Sequence, residues 1–256
     1  MGKNKLKKFA ELKTLPNVFE CGMSELDSNN AVAQLRGHWH EQVFHNTNPI
    51  VLELGCGRGD YTVGLAKRYT DKNFIGIDIK GARLWAGAKQ AYAENLGNVA
   101  FLRINIELLP QFFAIDEVSE IWLTFPDPQM KKATKRLTST YFMQRYKQVM
   151  PVGGLVHLKT DSPFLYTYTA AMLSDSHSIV LADTDDLYGN EDYTNPLFTD
   201  ARALQTYYEQ QWLARGMKIK YLCWQLQTDG WVEPTIEIEK DSYRSFGRNY
   251  QTTNIK

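Results

Sequence analysis

The stretch V-L-E-L-G-C-G-R-G-D-Y, Val51 to Tyr61, decides the fold, because it puts three glycines where a buried strand turns into a helix. Pro49, Ile50, Val51 and Leu52 read as a short apolar strand, and Tyr61 to Tyr69 carry apolar residues at helical spacing. Gly55, Gly57 and Gly59 therefore fall in the connection, where the missing Cβ lets the backbone approach a ligand. A dinucleotide fingerprint would require glycine at position 60, and Asp60 stands there, an unwelcome neighbour for a pyrophosphate on a helix N-terminus. Glu53, two residues before Gly55, places a carboxylate at the strand's carboxyl end and suits a cationic ligand. Nineteen residues after Gly59, Asp78 closes a second apolar strand, N-F-I-G-I-D, at the spacing at which an acid takes a ribose diol. The two acids together point to an adenosyl group that carries positive charge.

From Pro49 onward the chain alternates strand and helix, the signature of a parallel α/β sheet. Strands are expected at 50–54, 73–79, 99–104, 119–125, 154–160, 178–183 and 218–226, and helices at 60–69, 81–96, 138–149, 162–175 and 201–215. Residues 1–48 read as a basic extension whose first stretch is either a helix or a disordered arm. Residues 49–227 are expected to form one domain, a single catalytic domain being the default for this length, and 228–256 an appendage without clear periodicity.

The chain has 256 residues, 43% hydrophobic and 23% charged, enough to bury a large core, and its 29 basic and 29 acidic residues cancel. The distribution is uneven. The segment from Pro128 to Thr160 contains no acid yet holds Lys131, Lys132, Lys135, Arg136, Arg145, Lys147 and Lys159, and the first thirteen residues add Lys3, Lys5, Lys7, Lys8 and Lys13. Acid gathers at Asp183, Asp185, Asp186, Glu191 and Asp192, so a neutral molecule can carry a basic face. Cys21, Cys56 and Cys223 are isolated, which implies neither a disulfide framework nor a zinc knuckle and fits a reducing cytoplasm. No run is apolar and long enough to span a bilayer, and no signal peptide follows the lysine-rich start. His38, His40 and His45 lie close together, but packing or phosphate contact is the better reading for them than a metal.

A second motif, I-W-L-T-F-P-D-P-Q-M-K-K from Ile121 to Lys132, runs a buried strand into a turn where prolines flank Asp127. Both prolines fix φ and remove backbone donors, so the carboxylate is held on a stiff turn beside the ligand crevice. The cationic segment that follows makes a phosphate-bearing substrate the simplest partner. Asp161 ends the fifth strand in H-L-K-T-D-S, where it or Thr160 could also cap the next helix. Taken alone, Thr206, Tyr208 and Glu209 in L-Q-T-Y-Y-E-Q-Q-W read as the exposed face of an aromatic helix.

The pattern Glu53-x-Gly55-x-Gly57-x-Gly59 resembles motif I of S-adenosylmethionine-dependent methyltransferases. With the F-P-D-P turn and Lys131, the T-D pair Thr160–Asp161, and T-x-Y-E at Thr206 to Glu209 followed by Gly216, the chain resembles the bacterial tRNA (guanine-N7)-methyltransferase family from about Arg36 to Leu226. The resemblance implies a Rossmann-like, seven-stranded, mostly parallel sheet with helices on both faces, and methyl transfer from S-adenosyl-L-methionine to N7 of guanine at position 46 in the tRNA variable loop. Carried over by position, Glu53, Gly55, Asp78, Asn105 and Asp127 would line the cofactor, with Asp127 also the catalytic residue. Lys131, Asp161 and the segment Thr206, Tyr207, Tyr208, Glu209 would contact the tRNA. The partner implied is tRNA, with no membrane and no obligate protein partner.

Three departures stand out: Gln129 replaces the family's usual tryptophan after F-P-D-P, Asn105 stands where aspartate is frequent, and the tail after Thr228 is an addition. Guanine N7 has a free lone pair and no proton at neutral pH, so attack on the sulfonium methyl needs alignment and electrostatics but no general base. Either Asp127 or Asp161 could pair with the guanine edge or stabilise the cationic product ring. A methyltransferase for another RNA, a protein or a small molecule would retain Glu53 and Asp78. A non-catalytic RNA-binding protein on the same fold would tolerate loss of the acids.

Overall fold

The computed structural model describes residues 3–27 and 30–242. An eight-stranded sheet runs in the order β1-β4-β3-β2-β5-β6-β8-β7. The strands are β1 (Val18–Glu20), β2 (Ile50–Leu54), β3 (Asn73–Ile77), β4 (Val99–Arg103), β5 (Val118–Thr124), β6 (Leu155–Thr160), β7 (Val180–Thr184) and β8 (Lys220–Gln225). Ladders from β1 through β6 are parallel, and β8 is inserted antiparallel between β6 and β7. One strand more than the expected seven is present. It comes from the N-terminal extension, where Val18 pairs with Phe101 on the edge of the sheet, a three-residue piece too short for its alternation to be read.

β2 is buried along its whole length because helices cover both faces, which is why parallel strands read as unbroken apolar runs. Successive residues still point to opposite sides. Ile50, Leu52 and Leu54 enter one core, with Trp39, Phe142, Met143 and Leu165, while Val51 enters the other, with Tyr61, Phe74, Leu84 and Trp122. The first layer holds α4 (Leu109–Phe112), α5 (Thr140–Tyr146) and α6 (Pro163–Asp175), and the second holds α1 (Lys3–Leu12), α2 (Asp60–Arg68), α3 (Gly81–Ala93) and α7 (Pro196–Ala203). Period two thus sends Glu53 to the α2 side of the sheet. The chain runs outward from β2 through β3 to β4, then returns to β5 on the other flank, so the switch point where open α/β sheets bind ligands lies between β2 and β5.

The single helix expected at 201–215 is two, α7 and α8 (Tyr207–Leu213), broken at Leu204–Thr206. A capping box starts α8: the Thr206 hydroxyl accepts from the Glu209 N–H at 3.1 Å, and the Glu209 carboxylate accepts from the Thr206 N–H at 3.2 Å. The T-x-x-E signal was in the sequence. At the end of α7 the carbonyls of Ala201 and Leu204 are taken by the buried ammonium of Lys159, at 2.6 and 2.8 Å.

Between Thr228 and Ser242 the described tail has no helix or strand, yet it is tied down. Glu233 accepts from the Thr140 N–H at 3.1 Å and from the Tyr168 hydroxyl at 2.6 Å. Asp241 accepts from the Phe164 N–H at 2.9 Å and from the Ser162 hydroxyl, at the N-terminus of α6. Among the described residues no helix is long and apolar enough to cross a membrane.

Candidate active site

The glycine turn is fastened to the end of β3, where the Ile77 carbonyl accepts from the N–H groups of Gly55 at 2.7 Å and Cys56 at 3.0 Å. Asp78 completes the tie, its Oδ2 accepting from Gly57 N–H at 3.0 Å and its Oδ1 from Lys80 N–H at 2.7 Å. Two of its four lone-pair sites remain for hydroxyl donors. Two of the glycines do different work. A Cβ at Gly59 would stand 2.7 Å from the Phe101 ring, so this glycine lets α2 and α3 close on the sheet, whereas a Cβ at Gly55, with φ of +78°, would enter open space. That space is a cavity of about 250 Å³ reaching from Glu53 and Gly55 to Thr124, Phe125, Asp161 and Tyr208.

Glu53 sits at the cavity floor, with 4% of its surface exposed. Oε2 accepts from the Thr62 N–H at 2.8 Å and from the Thr62 hydroxyl, and Oε1 accepts from the Thr124 hydroxyl. Among the described residues no cationic side chain forms an ion pair with it. Burial pushes its carboxyl up to about 7, against the hydrogen bonds from Thr124 and Thr62. A buried carboxylate that lacks a counter-charge is a fitting seat for a cationic ligand.

A second cavity, of about 570 Å³, opens beside Ile79 and Asn105 and is closed by Cys21 to Glu25. The Asn105 side-chain oxygen accepts from the Glu107 N–H at 3.2 Å. Sequence reasoning missed the 21–25 wall, because the segment reaches the site only through the pairing of β1 with β4.

The F-P-D-P turn is strained at its first residue, Phe125 at φ of +50°, and at the residue that follows it, Gln129 at +47°. Asp127 is exposed and stands outside the residues lining the 250 Å³ cavity, its Oδ1 accepting from Gln129 N–H at 3.0 Å. Asp161, by contrast, is fully buried and lines that cavity. Arg136 braces the turn from beneath. It is 5% exposed, donates to the carbonyls of Pro128 and Gln129 at 3.0 Å each, and its guanidinium lies 4.1 Å from the Tyr168 ring centroid. The backbone of Gln129 thus has a partner although its side chain offers no indole surface.

The acid-free basic stretch is therefore mostly not a phosphate surface. Arg136 is internal, Lys135 pairs with Glu107, Lys147 pairs with Asp229 at 2.7 Å, and Lys159 is buried in an ion pair with Glu209 at 2.7 Å. Lys131 and Lys132 are exposed and form no ion pair among the described residues. Helix α8 turns its polar residues in opposite directions, contrary to one exposed face. Glu209 is fully buried and also accepts from the Tyr188 hydroxyl at 2.7 Å, while Tyr207 and Tyr208 are 49% and 43% exposed. The Arg58 guanidinium stands 5.4 Å from the Tyr207 ring centroid, beside Tyr208 at the cavity mouth. His40 and His45 are held by the carbonyls of Asn48 and Glu41 at 2.9 and 2.7 Å, and no group of three metal-ligating side chains occurs among the described residues.

A family model described as "Putative methyltransferase" matches residues 47–222. The chain is 55% identical over 250 residues to tRNA (guanine-N(7)-)-methyltransferase of Bacteroides fragilis (strain YCH46), covering 97% of this chain and 96% of that one. It belongs to the tRNA (guanine-N(7)-)-methyltransferase family. The enzyme of the same name from Porphyromonas gingivalis (strain ATCC BAA-308 / W83) is 56% identical over 93% of this chain and 97% of its own. In fold the chain is similar to the crystal structure of the 16S rRNA methyltransferase KamB, with a TM-score of 0.55 at 14% identity over 73% of this chain and 92% of that one. Its methyl donor is S-adenosyl-L-methionine.

The buried carboxylate gives a pH test. If the cationic cofactor is seated on ionised Glu53, affinity for S-adenosylmethionine should fall about tenfold between pH 8 and pH 6 as protons compete for a group at about 7. Without cofactor the sign reverses. The folded state then holds a proton that the unfolded state has released, so this group's stabilisation is present below about pH 4.5 and is lost as pH rises to about 7, by up to about 3 kcal/mol. Glu53→Gln should bind cofactor at least tenfold more weakly at pH 8, with a flat pH profile. Calorimetric titrations across this range in both proteins check it, and parallel profiles would refute it.

Proposed function

We propose that this chain methylates N7 of guanine at position 46 in the variable loop of tRNA, and that it does so in the cytoplasm. The observation that supports this reading best is the joining, at one switch point, of a cation-seeking buried carboxylate with an aromatic and cationic rim. S-adenosylmethionine supplies an electrophilic methyl on a sulfonium. Glu53 faces its positive end, Gly55 gives its chain room, Asp78 takes the ribose hydroxyls, and Asn105 with Ile79 and the 21–25 wall borders the adenine. Tyr207 and Tyr208 offer stacking faces to an unstacked base, and Arg58 steadies them. Asp161 at the wall and Asp127 at the rim approach the guanine from different sides. Asp127, held on the strained turn, is the residue assigned to charge stabilisation in the transfer step, and Glu209 acts from within by fixing the tyrosine pair. Transfer of labelled methyl into purified tRNA, with mapping of the modified base, tests the whole reading. Label in another base or at another guanine would overturn it.

Within the acid-free basic stretch the phosphate contact narrows to two residues. Changing Lys131 and Lys132 together to Ala should weaken tRNA binding and lower the slope of log affinity against log salt by about 1.5 to 2, leaving cofactor affinity unchanged. Changing Lys135 or Lys147, which are paired within the protein, should alter the slope by well under one unit. Filter binding across a salt series separates the two sets.

A further inference from the structure

Several of the exposed cations that form no ion pair among the described residues are gathered at one edge of the sheet. Helix α1, with sequence K-N-K-L-K-K-F-A-E-L, has Glu11 as its one acid. It packs on α3, where Glu11 accepts from Lys89 at 2.7 Å and from Trp85 Nε1 at 2.9 Å. The Lys8 ammonium stands over the same indole at 4.6 Å. Glu11 is therefore committed to the helix interface, and Lys5 and Lys7 face solvent with no ion pair among the described residues. On α3 the basic surface continues through Arg83, which also lines the cavity of the candidate active site. The opposite edge, at β7, carries Asp183, Asp185 and Asp186. The net charge of zero thus conceals an uneven surface, with unpaired lysines on α1 and acids at the end of β7, where Asp186 pairs with Lys218 at 3.1 Å.

We propose that the α1–α3 face is a second contact surface for tRNA, taking the phosphates of a helical arm away from the methylated guanine. The proposal rests on tRNA being the substrate. A polyanion is favoured over a lipid surface because α1 turns Phe9 and Leu12 inward and leaves Leu6 as its exposed large apolar side chain, too little for membrane insertion. Lys5, Lys7 and Lys8 stand within about 5 Å of helix axis, close to the spacing of adjacent phosphates on one strand.

The test is the variant Lys5→Gln/Lys7→Gln/Lys8→Gln, which retains good helix formers and leaves the cavities untouched. For full-length tRNA the salt slope should fall by about 2 to 3 and affinity at 0.15 M salt by at least tenfold. Binding of a short stem-loop carrying the target guanine and cofactor affinity should stay as in the unaltered protein, and the thermal midpoint should shift by no more than the loss of the Lys8–Trp85 contact allows, a few degrees. An unchanged slope with full-length tRNA, in a protein that methylates it, would overturn this surface alone. Loss of tRNA binding in the variant would uphold the surface even if no methyl were transferred, and failure of the unaltered protein to bind tRNA would sink both readings. If the variant lost binding to phosphatidylglycerol vesicles while holding tRNA normally, the face would be a membrane site and the proposal wrong.

Discussion

Asp127→Asn is expected to slow single-turnover methyl transfer about a hundredfold or more while both ligands still bind within a few fold. The substitution is a clean one in this fold. The Asp127 side chain holds its turn through Oδ1, which accepts from the Gln129 N–H at 3.0 Å, and the amide oxygen of asparagine can accept the same bond. Arg136 continues to brace the carbonyls of Pro128 and Gln129. Geometry is thus retained and only the charge is removed, so any loss reports electrostatic stabilisation of the guanine ring as it becomes cationic. Rapid-quench measurement with both ligands saturating is the check. A near-normal rate would pass the catalytic assignment to Asp161, which lines the cavity from within, or leave catalysis to alignment alone.

Lys159→Met should cost about 3 to 5 kcal/mol of stability, because it leaves Glu209 charged and buried without its partner. For a chain of this length that is a fall in thermal midpoint of about 10 °C. The ammonium also satisfies the carbonyls of Ala201 and Leu204, so the break between α7 and α8 should loosen and the KM for tRNA should rise more than the cofactor Kd. The double variant Lys159→Met/Glu209→Gln should recover part of the loss, since neither charge then stays buried. Thermal unfolding and steady-state kinetics of the single and double variants test this. A single variant within about 1 kcal/mol of the unaltered protein would mean that water reaches Glu209.

The Lys159 case also shows where reading a sequence reaches its limit. By type and neighbourhood Lys159 and Arg136 belong to an acid-free basic run, yet both are internal, because their partners, Glu209 and the carbonyls of Pro128 and Gln129, are supplied by other segments. Residue type gives the charge, and only the packing tells whether solvent or a neighbour meets it. The split of 201–215 is a different kind of miss. Its capping box was legible as T-x-x-E, but the aromatic run across it read as one helical stripe. β1 carried no local signal at all. Three residues become a strand because β4 leaves an edge for them.

What the sequence determined by itself is what depends on local chemistry and chain order. The glycine turn after β2, Glu53 and Asp78 at the ends of neighbouring strands, the stiff turn around Asp127 and the α/β alternation follow from backbone freedom, period and spacing, which need no distant partner. Tertiary structure decided what depends on solvent and on long-range pairing. It buried Glu53 without a counter-charge and raised its carboxyl to about 7, set Asp161 inside the cavity and left Asp127 exposed outside its lining, and turned Glu209 inward to Lys159 while Tyr207 and Tyr208 face out. The physical reason is desolvation: the state of a charged group is fixed by which atoms replace its water, and those atoms come from parts of the chain far away in sequence.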